Sequence, residues 1–314
     1  MNLYGLNSIY ENSAVIVIPV PWEGTVSYGR GTSAAPAAIL KASQQIDLCD
    51  PECGRVYEKG IFMLNIPSVS KEWVVGGDGE GYNKVALVNQ LSAKVNEYVY
   101  SAAQQIINDG KIPIVLGGEH SVSYGAIKAM AEGRRDGSFG ILHLDAHFDL
   151  RKAYEGFIFS HASSMYNVIQ NIPQIEKLVS VGVRDFCDEE LEFASASEKI
   201  KFCLDSDLAL AKMQGDNWSD IADRVIQELP DNVWVSFDID ALDPSLSPHT
   251  GTPVPGGLSF HEANYLLRRV VETGRKIIGA DLCEVAPGKD SEWDANVGMR
   301  VLYKLFGWIC QCRS

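Results

Sequence analysis

The chain has 314 residues, 46% of them hydrophobic and 22% charged, the balance of an ordinary globular protein. Its 41 acidic residues against 27 lysines and arginines give a formal net charge of −14. That charge argues against nucleic acid or an anionic membrane as partner and weakly favours a cationic small molecule. The seven cysteines are odd in number and scattered. Cys49–Cys53 and Cys310–Cys312 lack paired zinc-binding spacing, so all read as free thiols rather than a disulfide framework. No basic leader followed by an apolar stretch is visible at the N-terminus, and no apolar run approaches the ~20 residues of a membrane span. A cytoplasmic location is the expectation.

In chain order, a β-branched run at 14–19 (AVIVIP) reads as a buried first strand. A Gly-rich turn and a Pro-initiated helix over about 35–45 follow. Residues 61–64 read as a short strand, and 68–81 as irregular, with a turn cluster at Gly76-Gly77-Asp78-Gly79. A helical period of apolar residues runs from 83 to 108. Then strands and helices alternate: strand 112–116, helix 122–131, strand 140–144, helix 163–170, strand 178–183, helix 188–194 and strand 201–204. Helix 217–229, strand 232–238, helix 259–273, strand 276–281 and a last helix over about 294–312 complete the pattern. Continuous apolar strands alternating with helices predict a mostly parallel sheet covered on both faces. With no repeat or linker, one domain over 1–314 is the economical reading.

Four of these strands run straight into polar residues, and open α/β sheets place their ligand sites at the strands' carboxyl ends. In GILHLDAHFDLR, Asp145, His147 and Asp149 stand at alternate positions. On a straight strand they share a face, but the two aspartates would lie roughly 13 Å apart at about 3.3 Å per residue. For both to serve one small metal centre the chain must curl there. Taken alone, the motif fits a solvated strand end equally well. His120, after two glycines in GGEHS, could be a ligand or could cap the next helix. In SFDIDALDP, Asp238 and Asp240 end an apolar strand and call for a cation between them, while Asp243 reads as a turn cap. His120, Asp145, His147, Asp149, Asp238 and Asp240 exceed what one tetrahedral zinc needs. Without sulfur, they suit two divalent ions of octahedral leaning, Mn2+ rather than zinc.

GGEHS, DAHFD, SFDIDALDP with the following GTPVPGG, and the distal EVAP occur together and in order. In this they resemble the ureohydrolase family of arginase, agmatinase, guanidinobutyrase, formiminoglutamase and relatives. The likeness extends from VPWEGTVSYGRGTSAAPAAI to the last helix. It implies a three-layer α-β-α sandwich around a mostly parallel sheet of about eight strands, and a homo-oligomer, a trimer or hexamer. It also implies two Mn2+ ions per chain. One would take His120, Asp145, Asp149 and Asp238, and the other His147, Asp145, Asp238 and Asp240. Asp149 would also orient the attacking hydroxide. By the same matching, His161 in FSHAS is the histidine that protonates the leaving amine, and Glu284 in DLCEVAP the carboxylate that holds the guanidinium. Without the family, a loop histidine and a strand-end glutamate read as surface residues. His143, His249 and His261 read as ordinary.

The tail of the substrate is less defined. Arginases carry Asn two residues after DxHxD, where this chain has Arg151, which counts against arginine. Formiminoglutamases place an Arg there but usually lack the histidine present as His161. The combination looks most like prokaryotic agmatinases, so agmatine, giving putrescine and urea for polyamine biosynthesis, leads. Aminopropylagmatine, a guanidino acid such as 4-guanidinobutyrate, formiminoglutamate and arginine follow. A cationic tail requires Arg151 to be paired internally, with Glu155 as a candidate. A zinc deacetylase-like enzyme would use fewer ligands, and a catalytically silent relative would have lost some.

Overall fold

The computed structural model describes residues 2–67, 82–134 and 137–312, so the irregular stretch expected at 68–81 lies outside the described residues. In order, the elements are β1 (Val15–Val20), α1 (Ala35–Ala42), β2 (Ile61–Met63), α2 (Tyr82–Asn108), β3 (Ile112–Gly117), α3 (Ser123–Gly133) and β4 (Phe139–Leu144). They continue with α4 (Ser164–Asn171), β5 (Ile175–Val183), α5 (Asp188–Ala196), β6 (Ile200–Leu204), α6 (Asp205–Met213), α7 (Trp218–Ile226), β7 (Asn232–Asp238), α8 (Phe260–Glu272), β8 (Lys276–Cys283) and α9 (Trp293–Gln311). The eight strands form one sheet, ordered β2-β1-β3-β8-β7-β4-β5-β6, and every pair is parallel.

Alternation along each strand divides the core. Val15 and Val17 of β1 face a layer built from α1 and α6 to α9, while Ile16 and Ile18 face α2 to α5. The helices are amphipathic for the same reason: Val88, Leu91, Val95, Val99, Ala103 and Ile106 keep α2 on the sheet. This is the three-layer α/β sandwich expected. Helix α6 was not expected. Its signal is weak because Leu208 is its one fully buried residue, so no apolar period marks it. Among the described residues no helix is long and apolar enough to cross a membrane.

Parallel pairing sends all strand ends to one edge, and β3, β8, β7 and β4 lie side by side at its centre. Gly118 is the knot there. Its N–H donates to Val20 O (2.9 Å) and its carbonyl accepts from Glu284 N (2.7 Å), joining the ends of β1, β3 and β8. A Cβ at this position would lie 2.0 Å from the backbone oxygen of Trp22. Gly118→Ala should therefore cost at least about 1–3 kcal/mol through a forced backbone shift. A lowered midpoint of thermal unfolding is the expected result; an unchanged midpoint would mean that these strand ends separate freely.

Candidate metal centre

The ends of three central strands, β3, β7 and β4, supply the six candidate ligands, with β8 between β3 and β7. The glycine turn after β3 leads into a short 3-10 turn, His120–Val122, which buries His120 at 1% exposure. After β4 the chain leaves the strand at once, and Asp149 takes a left-handed backbone, φ 56°. That curl brings Asp149 back beside Asp145, as the motif required. His120 Nδ1 lies 3.1 Å from Asp145 Oδ2, 3.3 Å from Asp149 Oδ2 and 3.3 Å from Asp238 Oδ2. His147 Nδ1 lies 3.4 Å from Asp145 Oδ1 and 3.2 Å from Asp240 Oδ2. The two oxygens of Asp145 thus face two neighbouring groups of donors, and all six expected residues come together.

Five of the six candidate ligands, all but His147, are held by a further contact. Trp234 Nε1 (2.6 Å) and Ser236 Oγ (2.8 Å) both donate to Asp281. Having given its proton to Asp281, Ser236 accepts from His120 Nε2 (2.8 Å), leaving the Nδ1 lone pair for a metal. Backbone N–H groups hold the other oxygens: Ala146 N to Asp240 Oδ1 (3.0 Å), His147 N to Asp145 Oδ1 (2.6 Å) and Asp240 N to Asp238 Oδ1 (2.9 Å). Ser164 Oγ donates to Asp149 Oδ2 (2.7 Å). His143 corrects the sequence reading, which took it as ordinary. Its Nε2 lies 2.9 Å from Asp145 Oδ2 and its Nδ1 3.1 Å from Ser180 Oγ, so it supports the shared carboxylate. The i, i+2 spacing from Asp145 was the available signal, usable only if the strand stays regular to its last residue.

The electrostatics ask for cations. Burial, then repulsion from Asp145, holds the Asp149 carboxyl well above the ordinary range. Asp238 is raised by burial, then by Asp240 and Asp145. Burial would depress His120 and His147, but surrounding carboxylates outweigh it and each binds its proton more tightly than free imidazole. Asp145 moves down: burial opposes this, but His143 and hydrogen bonds from His120, His143 and His147 prevail. Buried negative charge contributes to every one of these shifts except that of Asp145. Asp240 Oδ2 is buried with no aligned hydrogen-bond donor among the described residues. An orphaned carboxylate oxygen among imidazole nitrogens and other carboxylates fits a divalent ion such as Mn2+.

Beside these ligands a cavity is lined by His147, Asp149, His161, Ser27, the half-buried Arg151 and the exposed Asp185. The His161 imidazole is pulled down to about 4 by burial, then by His147, so it is neutral near pH 7. Glu284 has φ 63° and is buried. One carboxylate oxygen, Oε1, accepts from His120 N (2.8 Å), and Oε2 accepts no hydrogen bond from the described residues. Burial, then the charge of Glu119, raises its pKa well above the usual carboxylate range. Arg151 pairs with Glu190, not Glu155: Nε lies 3.4 Å from Glu190 Oε2, and the guanidinium sits 4.8 Å from the Tyr154 ring centre. Glu190 is itself fixed, accepting from Leu150 N (3.0 Å) and Cys187 N (3.2 Å) in the capping box of α5. Sequence distance hid this pair, because the turn after β5 returns it to the β4 loop. Asp243 caps its turn through Ser245 N (2.9 Å), as expected. His249 pairs with Asp294 (2.8 Å), and His261 is exposed.

Residues 13–307 match the Arginase family. The chain is 30% identical over 303 residues to the N(1)-aminopropylagmatine ureohydrolase of Synechocystis sp., covering 95% of this chain and 90% of that protein. It is 30% identical over 308 residues to the agmatinase of Halalkalibacterium halodurans, covering 96% and 94%. Among solved structures, the arginase of Bacillus caldovelox superposes with a TM-score of 0.73 at 25% identity, covering 94% of this chain and 98% of that one. A metal-dependent family, a parallel eight-stranded sheet and a buried His/Asp cluster at its carboxyl edge agree, and the chain belongs to the arginase family, as a hydrolase of C–N bonds in linear amidines.

Proposed function

We propose that this chain, as one catalytic unit over residues 1–314, is a ureohydrolase with two Mn2+ ions that hydrolyses agmatine to putrescine and urea. The observation that carries the reading is the convergence of Asp145, Asp149 and Asp238 on His120 Nδ1, with Asp145 Oδ1 turned to His147. His120, Asp145, Asp149 and Asp238 would hold one ion, and His147, Asp145, Asp238 and Asp240 the other. When bound, such a pair lowers the pKa of a water molecule so that hydroxide exists near neutral pH. Asp149 orients the attacking oxygen toward the guanidinium carbon. Glu284 Oε2, the free oxygen of a buried carboxylate, takes the guanidinium by a charge-assisted hydrogen bond. His161, neutral at rest, receives a proton and returns it to the leaving amine as the C–N bond breaks. A homo-oligomer, a trimer or hexamer, in the cytoplasm completes the proposal.

The choice of tail rests on charge. Buried Glu190 counters Arg151, and the exposed Asp185 carboxylate lining the cavity has no partner among the described residues. A cationic tail is therefore favoured over a carboxylate. The relative named N(1)-aminopropylagmatine ureohydrolase supports a longer polyamine as the second reading.

Asp145→Ala should lose metal and activity together, because one carboxylate serves both ions. Metal analysis that finds about two Mn per chain in an active variant would remove Asp145 as the shared ligand; one zinc in the wild-type protein would point to a deacetylase-like centre. His161→Ala should keep its metals and slow turnover ~10²–10⁴-fold, and an unaffected rate removes it from the reaction. Urea release should favour agmatine or aminopropylagmatine over arginine and 4-guanidinobutyrate, with formamide release from formiminoglutamate as a further control. Asp185→Asn should raise KM for agmatine roughly tenfold, the weight of one charge-assisted hydrogen bond. Preference for an acidic tail would make Arg151 a substrate-binding residue and overturn the assignment.

A further inference from the structure

The glutamate of GGEHS is used by none of the steps above, yet it is completely buried among polar groups. Glu119 Oε2 accepts from Thr25 N (2.8 Å), and Oε1 accepts from Thr25 Oγ1 (2.8 Å) and Ser121 Oγ (2.7 Å). Thr25, 1% exposed, lies in the loop after β1, far from Glu119 in sequence. Its hydroxyl also meets His161 twice: the His161 backbone N–H donates to Oγ1 (3.0 Å), and Nδ1 of the ring lies 3.2 Å from it.

A hydroxyl has one proton to give and two lone pairs to receive with. The Thr25 proton has two possible takers, the Glu119 carboxylate at 2.8 Å and the His161 Nδ1 at 3.2 Å. The carboxylate is both nearer and the stronger acceptor. With the proton given to Glu119, one lone pair takes the His161 backbone N–H and the other is left for the ring. Ser160 Oγ, the other group beside Nδ1, lies farther away at 3.4 Å, so the geometry favours Nδ1 as the donor to Thr25. Nε2 keeps its lone pair and faces Ser27 Oγ (3.3 Å) on the wall of the cavity.

We propose that Thr25, held by Glu119, is a positioning residue that locks His161 in the Nδ1–H tautomer, so that Nε2 alone carries the proton of the reaction. The proposal rests on the role given to His161 above. The Nε2 lone pair takes a proton from the attacking water. As the C–N bond breaks, its electron pair leaves on the amine nitrogen, which takes that proton from Nε2. Nδ1 keeps its hydrogen throughout, and the intervening imidazolium is stabilised by the Thr25 hydroxyl, which the Glu119 carboxylate polarises. The role parallels that of a buried acid orienting a catalytic histidine, with one hydroxyl interposed.

Neutron crystallography of the full-length, Mn2+-loaded protein at mildly alkaline pH, above the value of about 7 to which burial raises the Glu119 carboxyl, reads the protons directly. Deuterium on His161 Nδ1, with the Thr25 deuteron pointing at Glu119, is the expected result. Deuterium on Nε2, with the Thr25 deuteron turned to Nδ1, overturns the proposal. In parallel, Thr25→Val should lower kcat at least about tenfold with KM and metal content unchanged, and Thr25→Ser should restore most of the rate. Loss in the serine variant equal to that in the valine variant, or a change confined to KM, counts against it. Wild-type turnover in His161→Ala would instead remove the proton-transfer role itself, while the neutron map would still decide the tautomer.

Discussion

Too much negative charge in too little water is the constraint on which this molecule depends. Asp145, Asp149, Asp238 and Asp240 are each at most 5% exposed, and three of them lie within 3.3 Å of one imidazole nitrogen. Such a cluster is stable only when a cation, or protons held at unusual cost, offsets the repulsion. The upward shifts of Asp149, Asp238, His120 and His147 are the protons' answer to that demand, and metal ions would displace them.

The fold meets the constraint with direction rather than with special side chains. Because all the strands are parallel, their carboxyl ends share one edge, and the central four deliver residues distant in sequence to one spot. Small backbone devices then complete the aim. Positive φ at Asp149 and Glu284 turns each carboxylate into position, a strain held by contacts such as Glu284 N to Gly118 O. Behind the imidazole of His120, the line through Ser236 to Asp281 sets which nitrogen faces the ligands.

Charge is managed in the same way around the cavity. A buried glutamate, Glu190, both caps α5 and stands against Arg151, so one residue ties a helix start to the wall of the site. Glu119 and Thr25 do the comparable work behind His161. In each case a buried carboxylate reaches the reactive surface through one intermediary group.

Residues close in sequence and types with unmistakable chemistry could be read from the chain alone. The alternation of apolar strands with helices announced a covered parallel sheet, and β7 and the other three polar strand ends fell where expected, because periodicity is a local property. The six metal-ligand candidates stood out because His and Asp at strand ends have few other uses, and the ordered motifs supplied their grouping. Helix α6 escaped because it buries too little to show a period. His143, Glu190 and Thr25 escaped for a different reason: a buried imidazole, a helix-cap glutamate and a loop threonine are ordinary until another strand end is set against them. The sequence by itself determined which groups could hold metal and move protons. Only the tertiary structure decided which nitrogen, which oxygen and which counter-charge each would use, since these follow from hydrogen bonds between residues that only the folded sheet brings together.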